Sequence, residues 1–439
     1  PSAFEVKHVY QWIDVAPLDL ATGRLRVTNA YDFRRTDDVR MLWTLIRDGV
    51  SVDSGVVADS LPLAPHASMP VTVPLPTITP EPGVEYYLNV SLRQARDRDL
   101  VPAGHEIAFD QFRLPVTRAV AAVDPRTLGA LAVHDGRDSV RVTGDHFAVT
   151  FDRASGTLAS YVYRGHELIA HGPVPNFWRA PDDNDFGAGL QKKLRVWLDP
   201  AAHAEMRRFE VKGPSDGRVT VTVESTLPTV FADYTTTYTI LGSGDVIVDD
   251  HFVPHPGADS LPEMFRFGMK MVVPHAYSNV AWYGRGPFES YWDRKTAALV
   301  GRYAGTVSQQ YYPYVRPQET GNKTDVRWLS LTDDDGAGLL FVGDSLLSVS
   351  ALHYRISDLD PGPEKAQRHS GDLTERPEVY VNVDDRQMGV GGINSWGALP
   401  LPRYSLPYGE YHYRFRLRGF TAADGTPDAL ARVRFAGIP

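Results

Sequence analysis

The feature that most constrains the fold is a run of short segments in which apolar and polar residues alternate. In Leu158–Tyr163, Val219–Glu224 and Thr235–Ile240 the alternation has a period of two, which is typical of half-buried β-strands. The 37 glycines and 33 prolines provide frequent turns between such segments. Helical periodicity is weak and confined to Gln191–Trp197 and Thr426–Arg434. The pattern therefore predicts an all-β protein.

The strand pattern divides the chain into two predicted domains joined by a linker. About seven short strands within residues 1–116 predict an immunoglobulin-like β-sandwich, in which Leu42, Thr44 and Ile46 alternate around Trp43. The Ala-rich segment 117–136 is interpreted as a linker. Residues 137–439 continue the pattern without a sequence repeat. This segment is too long for one small sandwich, so it is predicted to form a large barrel or a two-sheet β super-sandwich.

Composition excludes several classes of protein. The formal net charge is -9, whereas nucleic-acid-binding proteins carry an excess of basic residues, so no nucleic acid is expected as a partner. No apolar run has the 18 or more residues of a membrane helix, so no membrane association is expected. The chain contains no cysteine, which excludes disulfides and thiolate chemistry. Since it begins at Pro1 without a visible signal, we expect a processed or excised piece of a cytoplasmic protein.

The standard catalytic and metal-binding motifs are incomplete. His105 and His166 each precede a glutamate but lack the second histidine of a zinc pair. Asp182–Asp185 resembles the start of a calcium loop, yet position twelve would be Lys193, so it is interpreted as an acidic turn. The usual catalytic motifs are therefore missing, and we predict no metal ligands and no cofactor in this chain.

Four dense clusters of aromatic and polar residues remain, and they are Pro175–Gly187, Trp282–Arg294, Pro313–Asn322 and Asp385–Gly397. Aromatic rings beside carboxylates, amides and guanidinium groups suit carbohydrate binding, because a ring covers the C–H face of a pyranose while polar groups bind its hydroxyls. The alternative is that these residues form ion pairs and buried aromatic contacts that only support the fold.

In this order and spacing the clusters closely resemble the C-terminal part of the large bacterial β-galactosidases (lactases) of glycoside hydrolase family 2. The resemblance includes Asn176–Asp185 at the start of their last domain and Asp385–Trp396 near its end. Glu5–Gln11 and Ala103–Phe112 are similar to the start and finish of the preceding sandwich. The resemblance thus covers essentially the whole chain and implies a galactose-mutarotase-like super-sandwich after the first domain.

The resemblance implies five domains in the parent enzyme, of which this chain holds the fourth and fifth. The family hydrolyses terminal β-D-galactosides such as lactose with retention, using two glutamates in a TIM barrel that would precede this chain. One of them lies in an Asn-Glu pair, and none of the eight asparagines here is followed by Glu. Mg²⁺, and often Na⁺, would bind in the same barrel. The chain is therefore predicted to be inactive alone. The expected partners are the N-terminal domains of the parent enzyme, a β-galactoside or galactose as ligand, and a second copy of the chain in a homo-oligomer.

One binding position carries over from the family. Trp396 occupies the place of a tryptophan that stacks on the aglycone sugar, and Asn394 and Ser395 lie beside it. The alternative is that Trp396 is a core aromatic residue. Arg179, Asp183, Asn184, Arg294 and Glu319 are interpreted as scaffold residues.

Two other functions stay open at the level of sequence. A mutarotase-like fold permits an aldose 1-epimerase, for which Glu319 with His353 or His275 would provide the acid and base. The other is a non-catalytic carbohydrate-binding module.

Overall fold

The computed structural model describes residues 1–257, 261–394 and 396–438. The chain forms two compact units, of which the first holds residues 1–121 and 296–302 and the second holds the other described residues. Both units consist mainly of antiparallel strands, which confirms the all-β prediction.

The first unit is a sandwich of two sheets. Its three-stranded sheet has the order β1-β2-β5 and its four-stranded sheet the order β4-β3-β6-β7 among the described residues. A helix, α1 (Ser2–Val9), precedes the strands β1 (Ile13–Asp19), β2 (Arg24–Asn29), β3 (Val39–Arg47), β4 (Val50–Ala58), β5 (Ser68–Thr72), β6 (Tyr86–Gln94) and β7 (Glu106–Arg113).

The core of this unit lies between the two sheets and is filled by alternate residues. In β3 the alternate residues Met41, Trp43 and Leu45 are buried, whereas Leu42 and Thr44 are only partly buried; Val39 and Ile46 are buried as well. The inward face of this strand is therefore the one that carries Trp43. Helix α1 was not predicted, because none of its residues is buried and it leaves no apolar stripe against the core.

The second unit contains a five-stranded sheet and a large antiparallel sheet. The smaller sheet has the order β12-β11-β10-β9-β8. Strand β8, the first of them along the chain, lies inside the segment predicted as a linker. Its strands are β8 (Ala132–Asp135), β9 (Ser139–Thr143), β10 (Phe147–Asp152), β11 (Leu158–Tyr163) and β12 (His166–Glu167).

The large sheet follows the path β13-β18-β23-β22-β24-β17-β16-β15-β14 through the described residues. In addition, β21 pairs with β19 and with β22. Its strands are β13 (His171–Asn176), β14 (Glu205–Ser215), β15 (Arg218–Leu227), β16 (Ala232–Leu241), β17 (Val246–Pro254), β18 (Arg266–Pro274), β19 (Asn279–Gly286), β20 (Leu299–Thr306), β21 (Lys323–Thr332), β22 (Gly338–Leu352), β23 (Glu378–Gln387) and β24 (Tyr411–Phe420).

A large hydrophobic cluster forms the main core of this unit, and a smaller one contains Ala180, Leu352, Tyr354 and Leu359. Alternate residues of β15 and β16 enter the large cluster, as the period of two predicts, and include Val219, Val221, Tyr238 and Ile240. Aromatic residues such as Trp178 give it much of its volume.

The helices of the second unit are short. They are α2 (Asp183–Ala188), α3 (Leu190–Lys193), α4 (Ile356–Leu359) and α5 (Pro427–Arg432). Isolated 3₁₀ turns occupy Pro125–Thr127, Arg195–Trp197, Pro200–His203, Pro228–Val230, Ser308–Gln310, Ser370–Asp372, Pro402–Tyr404 and Ala422–Asp424, and a further one, Leu20–Thr22, lies in the first unit. None of the helices in the described ranges has the length and apolar character needed to cross a bilayer.

Candidate functional site

The candidate site is the loop that follows β23, residues 389–397, called here the Trp396 loop. Trp396 and Ile393 are each 85% exposed. Asn394 is exposed too, and its Oδ1 accepts hydrogen bonds from the backbone N–H groups of Trp396 (2.9 Å) and Ala398 (3.3 Å). Trp396 is therefore not a core residue, whereas Ser395, predicted beside it, lies outside the described residues.

The start of this loop is fixed by a fully buried guanidinium group. Arg179 donates through Nη1 to the carbonyl of Met388 (2.5 Å) and through Nη2 to that of Gly389 (3.0 Å). The same side chain forms a paired contact with Asp185, at 2.9 Å from Nη2 to Oδ1 and 3.2 Å from Nε to Oδ2. A planar guanidinium is suited to bind a carboxylate and two carbonyls at once, since its five N–H groups lie in one plane.

A carboxylate from a second cluster binds the next residues of the loop. Asp293 accepts the N–H of Val390 through Oδ1 (3.0 Å) and that of Gly391 through Oδ2 (2.9 Å). On the other side, the amide nitrogen of Asn184 donates to the carbonyl of Val390 (2.9 Å). Three side chains from two distant segments thus hold four consecutive backbone positions.

Two glycines of the loop have no room for a side chain. A Cβ on Gly392 would lie 2.3 Å from the carbonyl oxygen of Ala398. Gly397 has φ +106°, which disfavours other residues, and a Cβ there would lie 2.7 Å from the carbonyl oxygen of Gly187. The second half of the loop therefore closes tightly against itself and against α2.

The second and third clusters are joined by Glu289, which is buried. Its carboxylate receives the guanidinium of Arg294 (2.5 Å), the hydroxyl of Tyr314 and the N–H of Gly321 (2.7 Å). Burial is the largest cause that lowers the pKa of nearby Lys323, to about 8, while the charge of Glu289 opposes the shift. These contacts place the predicted scaffold residue Arg294 in a supporting role.

The first cluster begins α2 with a capped helix start instead of the predicted acidic turn. The side chain of Asp182 accepts the N–H of Asp185 (2.8 Å), and that of Asp185 accepts the N–H of Asp182 (3.0 Å). Burial raises the pKa of Asp182, and the charge of Asp185 adds to the shift. Asp183 stays half exposed and pairs with Arg316 of the third cluster (3.2 Å).

Glu319 is held by buried partners on β18 and β23. It contacts Arg266 at 3.2 Å and Gln387 at 3.4 Å. Asp384 lies 3.0 Å from the same guanidinium, yet burial outweighs that charge and raises the pKa of its carboxyl to about 8. Glu319 is therefore held by the guanidinium of Arg266 and the amide of Gln387.

The acid and base considered for an epimerase do not meet. The rings of His275 and His353 lie 5.1 Å apart, and His353 is bound through Nδ1 to the carbonyl of Glu378 (2.9 Å). Among the described contacts of Glu319 neither histidine occurs. The geometry does not assemble the pair that proton transfer at a sugar carbon requires.

Sequence reasoning identified the four clusters but missed the residues that connect them. Asp185, Glu289 and Asp293 were not singled out, although each lies in one of the clusters. In the structure Asp185 pairs with Arg179 and Glu289 pairs with Arg294.

In the described ranges no group of three or more His, Cys, Asp or Glu residues is placed to hold a metal ion. The arrangement is thus a hydrogen-bonded polar base next to an exposed indole ring.

Comparison with known families gives two matches. The family described as "Beta galactosidase small chain" matches residues 143–417, and "Beta-galactosidase, domain 4" matches residues 25–115. Among curated proteins, a β-galactosidase of Priestia megaterium is 35% identical over 92% of this chain and 38% of its own length. One of Lactobacillus delbrueckii subsp. bulgaricus is 30% identical over 92% of this chain and 38% of its own length. The chain spans about 40% of the length of the curated relatives it matches.

Two solved structures overlap this fold distantly. A GalM/aldose epimerase homologue from C. elegans has 10% identity and a TM-score of 0.36 over 67% of this chain and 99% of its own. An α-mannosidase from Enterococcus faecalis has 12% identity and a TM-score of 0.39 over 96% of this chain and 44% of its own.

Proposed function

This chain belongs to the β-galactosidase small chain family, and on that premise we propose that it serves a β-galactosidase by supplying Trp396 to an active site whose catalytic carboxylates lie in other domains. In this role the indole stacks on the aglycone sugar of a β-galactoside such as lactose. The chain itself performs no bond cleavage. Its contribution is binding and orientation of the leaving group.

The observation that carries this proposal is the contrast between the exposed Trp396 and its buried support. A tryptophan side chain can bury about 150–250 Å² of largely apolar surface, yet this one is left in water. Its loop is nevertheless fixed by Arg179 and Asp293, which costs conformational entropy. A position that keeps an aromatic ring exposed at a constrained site favours ligand binding, since stacking depends on the placement of the ring.

The carboxylates around the loop support a non-catalytic role. Asp185 is bound to Arg179, Asp293 to two backbone N–H groups and Glu289 to Arg294. A retaining glycosidase needs two carboxyl groups about 5–5.5 Å apart that are free to react with the sugar. These three carboxylates are occupied as hydrogen-bond acceptors.

The first unit offers a surface for the domains that would supply those carboxylates. Helix α1 buries none of its own residues, and Val6, Val9 and Tyr10 are 55%, 64% and 72% exposed. Adjacent exposed apolar side chains of this kind mark an interaction surface. We assign this surface to contact with the N-terminal domains that the longer relatives possess.

Hydrolysis of a chromogenic β-galactoside tests the proposal. The chain alone is expected to be inactive, and activity is expected after mixing with a protein that carries the preceding domains of the Priestia megaterium relative. The added protein without this chain serves as the control. Robust hydrolysis by the chain alone would contradict the proposal, because it would require two reactive carboxylates within these residues.

A further inference from the structure

The hydrogen bonds that hold the Trp396 loop continue into the third cluster, where they reach Tyr314. All residues on this path lie in the second unit. The carboxylate of Asp293 binds the loop, a tight turn places Asp293, and the hydroxyl of Tyr314 holds the end of that turn. None of the described hydrogen bonds of Tyr314 involves the loop itself, so its effect on the loop has to pass through the turn.

Asp293 binds the loop with both of its carboxylate oxygens. Oδ1 accepts the N–H of Val390 at 3.0 Å and Oδ2 that of Gly391 at 2.9 Å. A Cβ on Gly389 would lie 2.6 Å from Oδ2, so the backbone of the loop is in direct contact with the carboxylate. A shift of this carboxylate therefore shifts the start of the loop.

The turn that places Asp293 runs from Tyr291 to Arg294. The N–H of each of these two residues donates to the carbonyl of the other, both at 2.9 Å. Tyr291 is 1% exposed, which anchors one end of the turn in the interior. The guanidinium of Arg294 lies 5.0 Å from the centre of the Tyr291 ring. Because Asp293 lies inside this turn, a displacement of Arg294 moves its carboxylate as well.

The guanidinium of Arg294 is held in turn by Tyr314. Its Nη1 and Nη2 donate to the hydroxyl oxygen of Tyr314 at 3.1 and 3.2 Å, and Nη2 also donates to the buried carboxylate of Glu289. The same hydroxyl donates to Glu289, which closes a triangle of hydrogen bonds. A phenol can accept from a guanidinium while it donates to a carboxylate, whereas a phenyl ring can do neither.

The triangle should affect the position of Trp396 more than the stability of the fold. Tyr314 is only partly buried and is not part of the main hydrophobic cluster, so removal of its hydroxyl leaves the core intact. Trp396 is 85% exposed, so the hydrogen bonds of its loop, and not core packing, determine where the ring lies. Stacking on a sugar is sensitive to that placement, since small displacements of a binding group weaken its contribution.

We propose that Tyr314 is a positioning residue for Trp396, which acts through Arg294 and Asp293 and does not touch the sugar. The inference deepens the proposed function and rests on it, because it concerns the binding of the aglycone by the same indole ring.

The first test is the Michaelis constant for lactose in the mixed system. Tyr314→Phe is expected to raise KM about threefold and to leave kcat unchanged, within the roughly two- to tenfold effect of one lost hydrogen bond. Asp293→Asn keeps the shape of the side chain but turns an amide N–H₂ toward a backbone N–H, and it is expected to raise KM as well. Tyr312→Phe, at an exposed position of the same cluster, is the matched control and is expected to have the KM of wild type.

Combination with Trp396→Ala separates positioning from a purely structural role. If Tyr314 acts through the indole ring, Tyr314→Phe should leave the KM of the Trp396→Ala variant unchanged. A threefold rise in that background would overturn the proposal. A KM of Tyr314→Phe equal to that of Tyr312→Phe would overturn it too.

A second measurement needs only the chain alone. The indole N–H resonance of Trp396, assigned by its absence in Trp396→Phe, should shift or broaden in Tyr314→Phe and in Asp293→Asn. The resonance of the buried Trp178 should stay in place and shows that each variant is folded. An unchanged Trp396 resonance in folded Tyr314→Phe would contradict the inference. An inactive mixed system would refute the proposed function, and this spectrum would still decide whether Tyr314 positions the ring.

Discussion

Replacing Arg179 by methionine tests whether the buried guanidinium supports the Trp396 loop. The substitution keeps much of the side-chain volume but leaves the buried carboxyl group of Asp185 without its guanidinium partner, and it removes the donors to Met388 and Gly389. Removing one partner of a buried ion pair lowers the free energy of unfolding by about 3–5 kcal/mol. Since single domains are stable by only about 5–15 kcal/mol, we expect a large loss of unfolding free energy in the second unit.

The assay is urea unfolding followed by tryptophan fluorescence, which reports on buried rings such as Trp178 and Trp197. Arg403→Met, at an exposed arginine, is the matched control and is expected to stay within about 0.5 kcal/mol of wild type. In the double variant Arg179→Met/Asp185→Asn the loss should be smaller than the sum of the two single losses by about 0.5–3 kcal/mol. An Arg179→Met loss no larger than the control, or strict additivity, would refute the reasoning.

Two further predictions concern pH and the loop. Burial raises the pKa of Asp250 to about 8. The folded state therefore retains a proton that the unfolded state releases above its pKa of about 3.9, so stability should fall as pH rises from 4 to 8, by up to roughly 1.4 kcal/mol per pH unit. In thermal melts across this range, the melting temperature of Asp250→Asn should depend less on pH than that of wild type. The exposed control Asp335→Asn should show the same pH dependence as wild type. Gly392→Ala forces a Cβ against the carbonyl of Ala398 and should reduce β-galactoside hydrolysis in the mixed system without lowering global stability. Gly371→Ala, which meets no atom within 4 Å, should act like wild type, and equal activity of the two variants would contradict the geometry of the loop.

Most of the strand pattern could be predicted from the sequence, because burial on one face gives a period of two. The strands Ser139–Thr143 and Leu158–Tyr163 have the predicted bounds. The tail helix is shorter than predicted, Pro427–Arg432, since its last residues leave the helix at Val433. Helix α1 gave no signal because it has no buried face.

The polar base of the site could be predicted only in part. Its residues were recognisable as four clusters, but their pairing depends on contacts such as that of Arg179 with Met388, which are 209 residues apart. No local pattern encodes a contact at that separation. The path from Tyr314 to the Trp396 loop was equally invisible, because its contacts join three of the clusters.

The most direct test of the central claim is the Michaelis constant for lactose in the mixed system with Trp396→Ala. We expect kcat/KM to fall about tenfold, mainly through a higher KM, because the lost stacking acts on the bound aglycone. Trp396→Phe should recover much of the lost kcat/KM. Ile393→Ala, at an equally exposed position of the same loop, should have the kcat/KM of wild type. Equal kcat/KM values for Trp396→Ala and Ile393→Ala would contradict the account.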